Sequence, residues 1–147
     1  MEHTVNLARI YYSEREYEMS MSLLNRAYKI VPTIEIANLL ALCKKNTGEY
    51  EDAAQIFEGI IKEYPYNSFV YEDLIECYKN MNDIAKVSDT YKLQMEKLPY
   101  DEDRAIKYTN FLIDNEQKED ARNFLNKIYF EYPSDKILEL KNRLKEL

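Results

Sequence analysis

The spacing of proline is the sequence feature that most restricts how this chain can fold. Pro32, Pro65, Pro99 and Pro133 are its only prolines, and they recur at intervals of 33 or 34 residues. A fixed period of about 20–50 residues is typical of architectures that stack one supersecondary unit repeatedly. Only two glycines accompany the prolines, which leaves little sequence for long loops. The chain is therefore predicted to stack four similar, mainly helical units.

Residues 34–67 show the unit in its clearest form. They read IEIANLLALCKKNTGEYEDAAQIFEGIIKEYPYN, with apolar residues at helical spacing on both sides of Gly48. Gly48 suits the end of a helix, because a residue without Cβ enters the left-handed conformation at no steric cost. Pro65 closes the second segment, since the residue before a proline is disfavoured in the α region. The unit is predicted to be a helix-turn-helix hairpin.

The same frame carries a family resemblance. Tetratricopeptide repeats follow the pattern W-x2-L-G-x2-Y, then A-x3-F, then P. The second repeat fills these positions with Ala37, Leu40, Ala41, Lys44, Ala53, Phe57 and Pro65. The third fills them with Tyr71, Leu74, Ile75, Tyr78, Val87, Tyr91 and Pro99. No repeat keeps the tryptophan or the first-helix glycine, but four copies in frame over residues 1–133 resemble the tetratricopeptide-repeat (TPR) family.

This resemblance implies an all-α fold, a right-handed α-solenoid (superhelix) of four helix-turn-helix repeats in a single domain, 1–147. We expect repeats at about residues 1–33, 34–67, 68–101 and 102–133, with helices near 2–13, 17–30, 68–80, 84–97, 102–115 and 118–132. Arg15-Glu16 and Glu116 occupy turns where glycine would be expected, and Asn82 replaces it in the third repeat.

Residues 134–147 form a further amphipathic segment without a second helix. Ile137, Leu140, Leu144 and Leu147 recur at helical spacing, so one face is apolar. A solenoid needs a terminal element with a polar outer face, and we interpret the segment as a capping helix that begins at Ser134 or Asp135. The alternative interpretation is an oligomerisation helix.

Charge and hydropathy exclude several functions. The net charge is −7, and no clustered basic face predicts nucleic-acid binding. No apolar run is long enough for a transmembrane helix, and the N-terminal residues do not resemble a signal peptide. We therefore expect a cytoplasmic protein that contacts neither membrane nor nucleic acid.

The sequence offers no chemistry for catalysis, a metal or a cofactor. Cys43 and Cys77 occupy one column of the repeat, shared with Ile10 and Phe111. We interpret this as a packing column, with a redox or metal role as the alternative. The only histidine, His3, lies near the N-terminus, and no nucleophile or phosphate-binding motif is present. The chain is predicted not to be an enzyme.

The predicted partner-binding groove lies on the first helix of each repeat, in the positions left when packing residues are removed. They are Val5, Arg9, Tyr12, Asn38, Leu42, Lys45, Glu72, Glu76, Lys79, Ile106, Asn110 and Ile113. Each trio recurs at three- and four-residue spacing and forms one stripe of a helix. The resemblance implies that such stripes line a concave groove. In the alternative interpretation, Leu42 and Ile113 pack against the neighbouring first helix.

The predicted function is protein–protein interaction: an adaptor or chaperone-like module that holds a peptide or protein segment. Tyr12, Leu42 and Ile106 would anchor this partner, while Glu72 and Glu76 favour a neutral or basic segment. The alternative is a self-assembling scaffold, a homo-oligomer that acts through its ends or convex face.

Overall fold

The computed structural model describes residues 1–146, and this part of the chain folds into nine α-helices without a strand. The helices are α1 (Glu2–Ser13), α2 (Tyr17–Ile30), α3 (Ile34–Asn46), α4 (Tyr50–Glu63), α5 (Ser68–Asn80), α6 (Ile84–Lys97), α7 (Glu102–Asp114), α8 (Lys118–Glu131) and α9 (Asp135–Glu146). The all-α prediction is confirmed. The predicted bounds of α7 and α8 were each one residue too long at the C-terminal end.

Each of the four hairpins turns through one residue in the left-handed conformation. The φ angle is +86° at Gly48, +64° at Arg15, +56° at Asn82 and +61° at Glu116. In every turn this residue and the next donate backbone hydrogen bonds to carbonyls of the preceding helix, for example Gly48 N to Lys45 O at 3.2 Å and Glu49 N to Lys44 O at 2.9 Å. These bonds satisfy carbonyls that a helix end leaves unpaired.

Side chains cap several of the helices. Thr33 accepts a hydrogen bond from Ile36 N at 3.3 Å, and Asp83 accepts one from Lys86 N at 3.1 Å. Asp101 caps α7 in the same way, through Arg104 N at 2.9 Å. Each cap pairs one of the free N–H groups of a first turn, so short polar residues fix where these helices begin.

The chain divides into two compact units, residues 1–98 and residues 99–147. In the first unit, consecutive helices from α1 to α6 pack against one another. Part of its core is a cluster of buried side chains from the first three helices: Val5, Ala8, Leu24, Ala27, Ile36, Leu39, Leu40 and Cys43. The division concerns compactness, and the expected single domain over 1–147 stays a prediction.

The second unit contains α7, α8 and α9. Helix α9 packs against α8 and buries Ile137, Leu140 and Leu144. Ser134 precedes α9 and accepts a hydrogen bond from Ile137 N at 3.2 Å, as expected for its N-cap. Ser134 is also hydrogen bonded to Glu102 of α7. The apolar face of α9 is thus covered within its own unit, which favours the capping interpretation. The predicted contact Leu147 lies outside the described residues.

Candidate functional site

The predicted groove residues of the first three repeats lie on α1, α3 and α5, and we call their shared surface the first-helix face. Neighbouring first helices contact each other, α1 with α3 and α3 with α5. The face is therefore a continuous strip within the first unit.

Hydrogen bonds and ion pairs join the predicted residues across this face. Arg9 pairs with Glu35 of the next first helix, and both side chains are about half exposed. Asn46 Nδ2 donates to the hydroxyl of Tyr12 at 3.2 Å. An exposed ion pair contributes little to stability, about 0–1 kcal/mol. These contacts therefore set the orientation of the side chains more than the stability of the fold.

Lys45 is the centre of the strongest ionic cluster on the face. Its Nζ donates to Asp73 Oδ1 at 2.8 Å and to Glu76 Oε2 at 2.6 Å, and the lysine side chain is only 13% exposed. Burial favours the neutral amine, but the hydrogen bonds to the two carboxylates outweigh it and raise the pKa of Lys45. The ammonium stays charged and neutralises part of the acidic stripe on α5.

Two other predicted residues of α5 point back to α6. Glu72 Oε1 accepts a hydrogen bond from Gln94 Nε2 at 3.3 Å. Lys79 Nζ lies 3.4 Å from the hydroxyl of Tyr91 and 5.7 Å from its ring centroid. The charges of α5 are thus largely engaged within the molecule, and the preference for a basic segment stays a prediction.

A hollow of about 550 Å³ opens where α1 and α3 begin. Val5 and Ile36 form its buried base, at 8% and 2% exposure. Val5 belongs to the core cluster and lines the hollow from below, so its part in a partner-binding groove stays a prediction. Arg9, Glu2 and Glu35 surround the opening.

The remaining predicted residues differ in burial. Leu42 and Asn38 of α3 are half-buried, and Asn38 Oδ1 is a buried acceptor without a hydrogen-bond partner among residues 1–146. In the second unit, Asn110 of α7 is exposed, whereas Ile106 and Ile113 are half-buried. Leu42 therefore adds a partly accessible apolar surface to the face, whereas the Asn38 oxygen lies beneath it.

Three residues outside the predicted set of groove residues pair with its members. Glu35, Asn46 and Asp73 face their partners from neighbouring helices. Asn46 follows Lys45 and Asp73 follows Glu72, whereas Glu35 lies three residues before Asn38. A wider helical stripe would have included all three.

The two thiols lie in the packed interior. Cys43 and Cys77 are free and have 0% exposure, and burial raises the pKa of both thiols. Phe111 of the same column is also buried, whereas Ile10 in the first repeat is 52% exposed, so the packing interpretation applies to the three later repeats. No group of three or more metal-binding side chains occurs within residues 1–146. Over the same residues, no helix combines the length and apolar character needed to cross a membrane.

The hairpins recur at a constant period, and each contains a left-handed residue at its turn and is followed by a proline. This arrangement defines a helical-repeat protein. Residues 39–65 match the sequence profile of the tetratricopeptide repeat. The resemblance to this family is therefore confirmed, and the fold is that of a TPR protein. A comparison with curated proteins finds no significant match.

Solved structures agree on the fold. MamA (AMB-1) superposes with a TM-score of 0.71 at 17% identity, over 92% of this chain and 75% of that one. TTC0263, a thermophilic TPR protein of Thermus thermophilus, gives 0.62 at 15% identity, over 97% and 80%. PilF of Pseudomonas aeruginosa gives 0.61 at 13% identity, over 95% and 64%. At these identities the likeness concerns the fold alone.

Proposed function

We propose that this chain is a non-catalytic binding module that holds a segment of another protein on its first-helix face. The observation that carries the proposal is the 550 Å³ hollow between the starts of α1 and α3. Its apolar base with a charged opening matches the usual make-up of a binding pocket, and its volume suits a few side chains of a peptide. TPR proteins generally act through protein–protein contacts, which supports the same role here.

The charges around the hollow favour a neutral or basic segment. Glu2 and Glu35 border the opening together with Met1 and Arg9, and Arg9 is already paired with Glu35. A basic side chain entering the hollow would meet Glu2. Farther along the face, half-buried Leu42 would contact an apolar side chain.

Site-specific photo-crosslinking tests the proposal. A photoreactive amino acid replaces exposed Asn6, which borders the hollow, or exposed Gln55 on α4 as the matched control. Incubation with an extract of the source organism should give a crosslinked partner from position 6 and not from position 55. Crosslinks from position 55 alone would refute the first-helix face as the binding surface.

Once crosslinking has identified the partner, a double charge-reversal variant tests the charge preference of the hollow. Glu2→Lys/Glu35→Lys should weaken binding about tenfold, because like charges across an interface are costly. Glu51→Lys/Glu63→Lys, two exposed positions of α4, makes the same change in net charge and should leave the affinity unchanged. Light scattering of the isolated chain separates the scaffold alternative, since a scaffold would self-associate without a partner.

A further inference from the structure

A second cleft lies in the first unit, on the side of the second helices. Its volume is about 590 Å³. Helices α4 and α6 form its walls and α5 forms its floor, since α5 packs against both. Successive hairpin helices are antiparallel, so α4 and α6 run in the same direction and the cleft runs along them.

The floor is ordered by internal hydrogen bonds. Tyr71 donates its hydroxyl proton to Pro65 O at 2.8 Å, and the hydroxyl of Tyr78 is bonded to Glu58. Both rings are almost completely buried, as is Leu74 between them. Half-buried Leu93 and the aliphatic stems of the wall lysines provide the apolar surface above this floor. Because both tyrosine hydroxyls already have hydrogen-bond partners within the protein, the floor of the cleft does not depend on a ligand for its order.

The two ends of the cleft differ in charge. Lys62 and Lys97 lie in the last turns of α4 and α6, so they flank the same end. Lys97 pairs with Glu96 at 2.9 Å, whereas Lys62 has no ion pair within residues 1–146. At the other end Lys86 lies 5.1 Å from the centroid of Tyr78, near Glu58 and Asp89. With Lys97 paired to Glu96, Lys62 leaves one positive charge in excess at that end. Lys86 with Glu58 and Asp89 leaves one negative charge in excess at the other end, in a chain of net charge −7.

The preceding repeat does not offer the same features. At the positions equivalent to Tyr78 and Lys86, 34 residues earlier, Lys44 and Asp52 form an ion pair at 3.0 Å. Ala37 stands in place of Tyr71. The aromatic floor is thus particular to this place and does not follow from the repeat architecture alone.

We propose that this cleft binds an acidic, amphipathic segment of a partner protein, whose apolar side chains rest between α4 and α6 and whose carboxylates meet Lys62 and Lys97. The wall residues of α6 extend from Lys86 to Lys97, a length of about 16 Å at 1.5 Å per residue. This length accommodates about three turns of a helix. Tyr66, which is 78% exposed and follows Pro65, adds an aromatic ring near the cationic end.

The site is independent of the function proposed above. On α5, residues 71, 74 and 78 line the cleft, whereas residues 72, 76 and 79 belong to the first-helix face. At about 100° per residue these two directions are about a third of a turn apart. A segment in the cleft therefore does not occupy the first-helix face, and either site can fail without the other.

A structural role for the two lysines is the competing explanation. A cation in the last turn of a helix interacts favourably with the helix dipole and so stabilises the helix. That role changes the melting temperature but does not distinguish acidic from basic peptides. The test therefore measures binding and stability on the same variants.

Two fluorescein-labelled synthetic peptides of about twelve residues serve as probes, a length that covers about three helical turns. They share the same leucine and phenylalanine positions, with glutamate at every polar position in one and lysine in the other. Fluorescence anisotropy with the full chain should show binding of the acidic peptide, weakened by salt. Amide shifts in ¹⁵N spectra should concentrate in α4, α5 and α6.

Lys62→Glu/Lys97→Glu should weaken binding of the acidic peptide about tenfold, or 1.4 kcal/mol. The control Lys29→Glu/Lys92→Glu makes the same change in net charge at exposed positions outside the cleft and should bind like the parent. Leu93→Glu, which keeps both lysines, should also weaken binding. Equal binding of the basic peptide, equal loss in the control, or amide shifts on α1 and α3 would each overturn the proposal.

Discussion

The two glycines of this chain allow a direct test of how the hairpin turns are specified. Gly48 closes the turn between α3 and α4 with φ at +86°, whereas Gly59 lies inside α4. A Cβ built on either residue has no heavy atom within 4 Å. Replacement by alanine is therefore free of steric clashes at both positions, and only the backbone conformation differs.

The expected effects have opposite signs. At Gly48, alanine in the left-handed conformation costs about 1–2 kcal/mol, offset by about 0.4–1 kcal/mol from the reduced entropy of the unfolded chain. Gly48→Ala should therefore destabilise by about 1 kcal/mol. At Gly59, alanine is the better helix former by about 0.8–1.0 kcal/mol, so Gly59→Ala should stabilise by this amount. The two variants should differ by about 2 kcal/mol.

Urea denaturation followed by far-ultraviolet circular dichroism measures both free energies of unfolding, and both glycines lie in the first unit. The slope of the unfolding free energy against urea should not change, since neither substitution alters the surface exposed on unfolding. If Gly48→Ala stabilises as much as Gly59→Ala, the left-handed residue does not determine the turn and the reasoning is wrong.

Three further predictions concern the cap and a buried thiol. Leu144→Ala should destabilise the second unit by about 2–5 kcal/mol in thermal melts, because Leu144 is 2% exposed. The control Leu138→Ala, at a residue of 38% exposure, should be nearly neutral. Equal melting temperatures of the two variants would refute the capping role of α9. Ser134→Ala removes the N-cap of α9 and should cost about 1 kcal/mol, measured by urea denaturation. Burial raises the pKa of Cys77 to about 11, so the unfolded chain loses this proton at lower pH than the folded chain. Stability should therefore fall by about 1 kcal/mol between pH 8 and pH 10. Cys77→Val should remove this part of the pH dependence, and an unchanged slope would contradict it.

The helices and their order were predictable from the sequence because the signals are local. Prolines and short polar caps fix where helices begin and end within one or two residues. The turns at Arg15 and Glu116 were harder, since neither residue favours a positive φ. There the repeat frame supplied the information that the residue itself lacks. The closing hydrogen bonds, such as Glu116 N to Ile113 O at 3.0 Å, hold each residue in that conformation.

The candidate site was predictable only in part, because its contacts depend on the distance between helices. Helical spacing placed Lys45, Glu72 and Glu76 on one face, but it could not show that Lys45 reaches across to α5 and binds Glu76. It could also not show that Val5 is covered by core side chains while Arg9, one turn later, stays exposed. Helical periodicity determines the direction of a side chain, whereas packing between repeats determines which residues that side chain contacts.

Helix α5 shows how one element can serve two surfaces of opposite charge. Its residues on the first-helix face are mainly acidic, and Lys45 offsets only part of that charge. About a third of a turn away, the same helix presents a buried aromatic floor between walls that carry lysines. Since screening limits the reach of exposed charges to about 8 Å at physiological salt, reversing Glu76 should affect the first-helix face and leave the cleft nearly unchanged. Under the two proposals, α5 would contribute to surfaces that select partners of different charge.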